Sequence, residues 1–254
     1  MISIKGVSKK FGDLTVLNNI DLEVEKGEFV VLLGASGCGK STLLNLIAGF
    51  EQPTDGTVSV NGHEVTDVDP HSGMVFQQYA LFPWLSVLDN VAFGLKLRGI
   101  SKKERHEIAK KYVDMVGLTP FMDSYPKALS GGMRQRVAIA RVLANDTDVI
   151  LLDEPFAALD AMTRQVLQEQ LVEIYERSGK TIAFITHSID EALLLATRII
   201  ILGSKPGRIV KDIRNDLPHQ RNASVQLSER YTQLKADIWD VVQVEVMKSL
   251  ESKQ

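Results

Sequence analysis

The sequence predicts an α/β fold built on a mainly parallel core sheet, and three observations predict it. Short apolar runs at Phe29-Val30-Val31-Leu32-Leu33, Val149-Ile150-Leu151-Leu152, Thr181-Ile182-Ala183-Phe184-Ile185 and Ile199-Ile200-Ile201-Leu202 have the length and side-chain type of buried strands. Helical patterns near 163–177 and 189–196 separate the last three runs, an alternation that leads to parallel pairing. A helical stretch over about 87–146 interrupts that alternation and reads as an inserted α-helical subdomain. With an N-terminal antiparallel β subdomain, these parts make a single domain over residues 1–254.

Each element has its own signal. Ile2 and Ile4 alternate with polar residues, as do Ile20, Leu22 and Val24, and Lys26-Gly27 turns the chain into the apolar run at 29–33. Val58 and Val60 lead into Asn61-Gly62, a two-residue hairpin signal, and then into Glu64-Val65. Within the insertion, Ile108, Tyr112, Val113, Met115 and Val116 mark a helix over roughly 102–116. Val137, Ile139, Ala140 and Leu143 mark another that starts near Ser130. Tyr231, Leu234, Ile238, Val241, Val242 and Val246 recur at helical spacing, so a C-terminal helical tail over about 224–250 should pack back on the body.

Bulk properties narrow the function classes. Lys and Arg total 29 against 32 Asp and Glu, a formal charge of −3, which offers no general attraction for nucleic acid. The run Lys102-Lys103-Glu104-Arg105-His106-Glu107 mixes signs and reads as a solvated helix face. One cysteine excludes an internal disulfide and suits a reducing compartment. No apolar stretch approaches the roughly 20 residues that span a bilayer. The N-terminus reads as a strand rather than a signal peptide. The expectation is a cytosol-facing protein whose membrane role, if any, runs through a partner.

Two glycine-rich cradles carry the chemistry. Gly34-Ala35-Ser36-Gly37-Cys38-Gly39-Lys40-Ser41-Thr42 fits G-x-x-x-x-G-K-[ST] between a strand and a helix. Glycines let backbone N–H groups turn inward to form a nest for anionic oxygens, and the helix beginning near Lys40 adds its positive end. Lys40 would sit on the β- and γ-phosphates of a bound nucleotide, and the Ser41 hydroxyl would hold Mg2+. Leu129-Ser130-Gly131-Gly132-Met133-Arg134-Gln135-Arg136 opens a second helix in the same manner. One polyphosphate needs one cradle, so two imply a nucleotide gripped from both sides by two copies of the chain. Cys38, inside the first loop and near a helix N-terminus, is expected to have a lowered thiol pKa, with alkylation inactivating the protein and bound nucleotide protecting it; a small residue in a tight loop is the plain reading.

Asp153 and Glu154 stand at the C-terminal edge of the run 149–152, where ligands gather in parallel sheets. Asp153 is the strand-end carboxylate expected to hold Mg2+, and Glu154 would orient and deprotonate an attacking water. The plain alternative is a helix cap and a solvated acid. His187 follows the run 181–186 directly, where three adjacent strands would aim Lys40, Glu154 and His187 at one point. His63, His71, His106 and His219 have no metal-ligand spacing and are read as ordinary surface or core residues. Gln77, at the entry to the helical insertion, would ligate Mg2+ or touch the water; a polar surface residue is the other reading.

The combined set resembles the ATP-binding-cassette ATPases over roughly residues 1–212. The loop 34–42, Gln77, Leu129-Ser130-Gly131-Gly132, Asp153-Glu154, Ala158-Leu159-Asp160 and His187 fall in that family's order and approximate spacing. The resemblance implies that Phe11 stacks on adenine, that Asp160 makes a contact across a dimer, and that Ser130 and Gly132 of one copy close over the γ-phosphate held by the other. Met133 replaces the commoner glutamine after the two glycines, but backbone donors do not depend on that side chain.

Within the family, Tyr79-Ala80-Leu81-Phe82-Pro83-Trp84-Leu85-Ser86-Val87 looks like the surface that docks a membrane subunit, a loop folded onto the helical insertion being the alternative. Its Phe-Pro-Trp form, with Gly203-Ser204-Lys205-Pro206-Gly207-Arg208-Ile209, resembles bacterial importers of nitrate, sulfonates and taurine. The tail after 212 is too short for the regulatory domain of the sugar-importer relatives. The resemblance therefore implies an ATPase homodimer with ATP and Mg2+, two permease subunits and an extracytoplasmic binding protein, on the cytoplasmic face of the membrane. A soluble cassette ATPase acting on DNA or ribosomes, or a nucleotide switch that does not hydrolyse, are the competing readings.

Overall fold

The computed structural model describes residues 1–69, 71–157, 159–218 and 225–251. Ala158 and His219, both singled out from the sequence, lie outside the described residues, as does residue 224 at the start of the expected tail.

The N-terminal third forms long antiparallel strands. β1 (Ile2–Phe11) pairs with β2 (Leu14–Val24) on one side and with β4 (Asp55–Val60) on the other. Between them in sequence come β3 (Phe29–Gly34) and α1 (Lys40–Ala48). The hairpin from β4 to β5 (His63–Glu64) turns on Asn61 and Gly62, both at positive φ, as a two-residue turn between twisted strands requires.

The chain then lays down β6 (Ser72–Val75), a strand absent from the sequence reading. The helical insertion follows: α2 (Val87–Val91), α3 (Phe93–Leu97), α4 (Lys102–Met115) and α5 (Gly131–Ala144). Val87, Val91, Val113, Leu118, Val137 and Ala140 are among the residues that fill its own apolar cluster. Ser86, Ser101 and Ser130 cap α2, α4 and α5 through their hydroxyl oxygens.

Regular alternation resumes with β7 (Val149–Asp153), α6 (Ala161–Ser178), β8 (Thr181–Thr186), α7 (Ile189–Leu195) and β9 (Arg198–Gly203). β10 (Arg208–Arg214) returns antiparallel to β9, and α8 (Glu229–Glu251) ends the described chain. Six strands form the main sheet in the order β10-β9-β3-β8-β7-β6, parallel except at β10. β3 sends Phe29, Val31 and Leu33 to a cluster with α5, α6, α7 and α8, and Val30 and Leu32 to a cluster with α1 and the antiparallel sheet. Burial on both faces explains why β3, β7, β8 and β9 read as unbroken apolar runs. Tyr231, Leu234 and Ile238 bury the first turns of α8 on the body, and the Tyr231 hydroxyl donates to Asp190 at the start of α7 at 2.6 Å.

Candidate active site

β3 ends at Gly34, and after five intervening residues α1 begins at Lys40. Gly37 and Gly39 sit at φ 81° and 94°, a backbone region glycine enters freely. A Cβ on Gly34 would lie 2.5 Å from the Leu202 carbonyl oxygen and 2.9 Å from Cys38 Sγ, so the loop has no room for a side chain there. Lys40 is buried; its Nζ donates to the Gly34 and Ala35 carbonyls at 2.8 and 3.0 Å, spanning the loop from inside. α1 has neither a side-chain cap nor an acidic residue in its first turn, so its first N–H groups are open to an anion. Ser36 and Gly37 are exposed at the rim, and Thr42 is half-buried.

Ser41 Oγ donates to Asp153 Oδ1 at 3.1 Å, joining the loop to the end of β7. Asp153 is 9% exposed. Burial raises its carboxyl pKa, the Ser41 hydrogen bond opposes the rise, the neighbouring Glu154 charge adds to it, and Lys40 draws it back. Glu154 stands at φ 44°, a strained conformation for a residue with a side chain, and its N–H donates to the Ile185 carbonyl at 3.2 Å. Its Oε2 lies 3.6 Å from His187 Nδ1, beyond hydrogen-bond length. The His187 side chain is 64% exposed and faces the open edge.

Because β3, β8, β7 and β6 are consecutive in the sheet and parallel, their ends deliver the loop 34–40, His187, Asp153-Glu154 and Gln77 to one edge. Gln77 is exposed, two residues beyond β6. Such an arrangement can bind a polyphosphate, hold a divalent cation on Ser41 and Asp153, and present Glu154 as a base beside His187.

Phe11, at the end of β1, is 45% exposed with Lys9 Nζ 4.7 Å from its ring centroid, so it is no core phenylalanine. Ser130 is exposed as the N-cap of α5 and accepts from the Met133 N–H at 3.2 Å. Gly131 and Gly132 are partly exposed; a Cβ on Gly132 would come within 3.0 Å of Leu159 Cδ2, so the second cradle abuts the segment after Glu154. Among the described residues, no hydrogen bond joins residues 129–132 to the loop 34–42. Asp160 caps α6, accepting from the Thr163 N–H at 3.0 Å, and that bond lowers its pKa.

One expectation needs correction. Cys38 is fully buried, and burial raises its thiol pKa although Lys40 acts in the opposite direction. Desolvation outweighs the helix end beside it. In the loop 79–87, Trp84 is 69% exposed and Phe82 is half-buried, its ring centroid 4.2 Å from that of Phe93 in α3. Sequence reasoning also passed over Arg141, whose guanidinium donates to the Ala80 and Tyr79 carbonyls at 2.7 and 3.3 Å and fixes two residues at positive φ just after Gln77. An arginine on an amphipathic helix gives no signal of that partner.

The sequence model described as ABC transporter matches residues 17–157. The chain is 52% identical over 209 residues to the nitrate import ATP-binding protein NrtD of Synechocystis, covering 82% of this chain and 79% of the relative. It is 46% identical over 241 residues to the aliphatic sulfonates import ATP-binding protein SsuB of Bacillus cereus, covering 93% and 94%. A solved dimeric ATP-binding cassette in a post-hydrolysis state with ADP and Pi superposes with a TM-score of 0.77 at 37% identity, over 84% of this chain and 98% of that one.

Proposed function

This chain belongs to the ABC transporter ATPases, and from that premise we propose that it is the energy-coupling subunit of an importer for nitrate, an aliphatic sulfonate or taurine. The observation that carries the catalytic reading is the convergence of the phosphate loop, Asp153-Glu154, His187 and Gln77 on one sheet edge, with Ser41 already bonded to Asp153.

On this reading Phe11 stacks on adenine and the N–H groups of residues 34–42 receive the phosphates. Lys40 exchanges loop carbonyls for β- and γ-phosphate oxygens. Ser41 and Asp153 are hard oxygen donors, and no group of three or more His, Cys, Asp or Glu among the described residues could hold a metal alone. That donor set fits Mg2+, which is held by one or two protein groups together with phosphates and water, Gln77 joining them. Bound there, Mg2+ would neutralise charge on the β- and γ-phosphates. Glu154 takes the proton of the water that attacks the γ-phosphorus as the bond to the ADP oxygen breaks. His187 holds Glu154 in line and donates to the γ-phosphate.

A second copy supplies Ser130 and Gly132 to close the site, a reading that the dimeric state of the solved cassette with ADP and Pi supports. The exposed Trp84 loop, tied through Arg141 to α5, is the surface for two permease subunits at the cytoplasmic face. No helix among the described residues is long and apolar enough to cross a membrane, in keeping with such a peripheral place.

The test is reconstitution with candidate permease and binding-protein partners. ATPase activity should rise when the binding protein carries nitrate, an alkanesulfonate or taurine. Activity that ignores every membrane partner but responds to DNA or ribosomes would overturn the importer assignment.

A further inference from the structure

Glu191, in the first turn of α7, is buried, and its carboxylate ties together two segments that flank the proposed catalytic groups. Its Oε2 accepts from Thr186 Oγ1 at 2.5 Å, and Thr186 Oγ1 in turn accepts from the Ser188 N–H at 3.0 Å. The Glu191 N–H donates to Ser188 Oγ at 3.3 Å. Both neighbours of His187 are thus fastened to this one residue. On the other side, Oε1 accepts from Gln168 Nε2 at 3.2 Å and lies 3.9 Å from Arg164 Nε. Arg164 Nη2 donates to the Leu159 carbonyl at 3.0 Å, in the segment that runs from Glu154 to the Asp160 cap. Thr186, Gln168 and Glu191 are all buried, so water does not compete for these bonds.

We propose that Glu191 is a positioning residue for hydrolysis, acting through Thr186 on His187 and through Gln168 and Arg164 on the Glu154–Asp160 segment. A carboxylate suits the task because it accepts from both sides at once and attracts the guanidinium. None of its hydrogen bonds reaches the phosphate loop, so nucleotide binding does not depend on it. The proposal rests on the catalytic reading given above for Glu154 and His187.

The test uses steady-state ATPase of the full chain in its reconstituted complex, with Glu191→Ala, Glu191→Gln, Thr186→Val, Arg164→Met and the Thr186→Val/Arg164→Met pair. Small misplacement of catalytic groups lowers turnover by about ten- to a hundredfold, the fall in kcat expected for Glu191→Ala with KM for ATP unchanged. Glu191→Gln keeps an acceptor for Thr186 and should recover to within about threefold of the parent. Thr186→Val and Arg164→Met each break one arm, and the double variant should lose less than the product of the two if both act through Glu191. ATP-bound dimers should form normally in every variant.

A purely structural role would lower thermal stability and the active fraction while leaving the turnover of folded molecules intact, and the two arms would multiply. Should Glu191→Ala fail to fold, Thr186→Val and Arg164→Met carry the same test. Unchanged kcat in these variants beside a defective His187→Ala sinks the proposal alone. Unchanged kcat in His187→Ala sinks the catalytic reading first, and the proposal with it.

Discussion

Gly207→Ala should weaken ATP binding although residue 207 lies far along the chain from the phosphate loop. Gly207 is pinned on both sides: its N–H donates to the Val16 carbonyl at 2.8 Å, and its carbonyl accepts from the Asn18 N–H at 3.0 Å. A Cβ built there would lie 2.3 Å from the Cys38 carbonyl oxygen and 2.9 Å from both Leu17 Cδ2 and the Val16 carbonyl oxygen. Two of those three atoms are backbone and cannot rotate aside. Overpacking of this kind costs about 1–3 kcal/mol. If the loop moves to relieve it, the whole cost falls on the phosphate cradle, and at 1.4 kcal/mol per decade the Kd for ATP rises by roughly five- to 150-fold. Titration with a fluorescent ATP analogue reads Kd, and a melting curve separates affinity from stability. Gly99→Ala is the control: φ +77° makes alanine strained, but nothing lies within 4 Å. It should lower Tm by about 2–4 °C per kcal/mol of strain and leave Kd alone. A Gly207→Ala protein whose Kd stays within about twofold of the parent would refute the contact argument.

Glu154→Gln should lower steady ATPase activity by about 10²- to 10⁴-fold while ATP-bound dimers accumulate on a sizing column; retained turnover would remove Glu154 as the base. Ser41→Ala deletes the hydroxyl bonded to Asp153 and should raise the Mg2+ concentration needed for half-maximal activity, and an unchanged Mg2+ titration would count against this ligand pair. Cys38 should react with a thiol reagent more slowly than free cysteine and need a higher pH to speed up, with or without ATP. Rapid labelling at neutral pH would contradict its burial. Asp190 loses hydration on burial, but hydrogen bonds from Lys235 and Tyr231 hold its carboxyl below the usual range. An acid whose folded pKa is depressed contributes stability above its unfolded value and loses it as pH falls through the folded one. The docking of α8 should therefore loosen only below the ordinary aspartate range, and Trp239 fluorescence that shifts near neutral pH would speak against this tie.

The strands that could be read from the sequence are those whose environment simplifies their pattern. β3, β7, β8 and β9 are buried on both faces and show as apolar runs, and Asn61-Gly62 announces its turn by backbone preference alone. β6 escaped because its first two residues are Ser72 and Gly73. Glycine is required there by α5 lying close, a Cβ falling 2.6 Å from Val142 Cγ1, and that neighbour is 69 residues away. β10 escaped because the register shift between Ile209 and Lys211 breaks its alternation and leaves charged residues on an exposed edge. In the site, Lys40, Ser41, Asp153, Glu154 and His187 were legible because each follows a readable strand. Arg141 and Glu191 were not, since their partners are backbone and hydroxyl groups that only the packing brings near. Cys38 was misread for the same reason: proximity to a helix end can be seen in a sequence, whereas desolvation depends on Leu17, Gly34 and the rest of the surrounding cluster.

Most of the helix N-termini follow one electrostatic pattern. α4 and α8 place a glutamate in the first turn, α7 an aspartate and a glutamate, and α6 is capped by Asp160. Each meets the positive end of its helix with a carboxylate of its own. α1, α5 and the short α3 do not: α1 and α5 are capped by Gly39 and the neutral Ser130, α3 runs on from α2 through Ala92, and none of the three has an acid in its first turn. Leaving that end uncompensated gives up roughly 0.3–1 kcal/mol per helix. At α1 and α5, the two that open on the glycine-rich cradles, the cost is offset if an anion fills the gap in the working state. A carboxylate introduced at either end separates this logic from chance. Ser130→Asp would stabilise an isolated α5 yet should abolish ATP-driven dimer closure by meeting the γ-phosphate with a like charge. A Ser130→Asp protein that is more stable and still turns over ATP at the parental rate would leave the second cradle without a phosphate to receive.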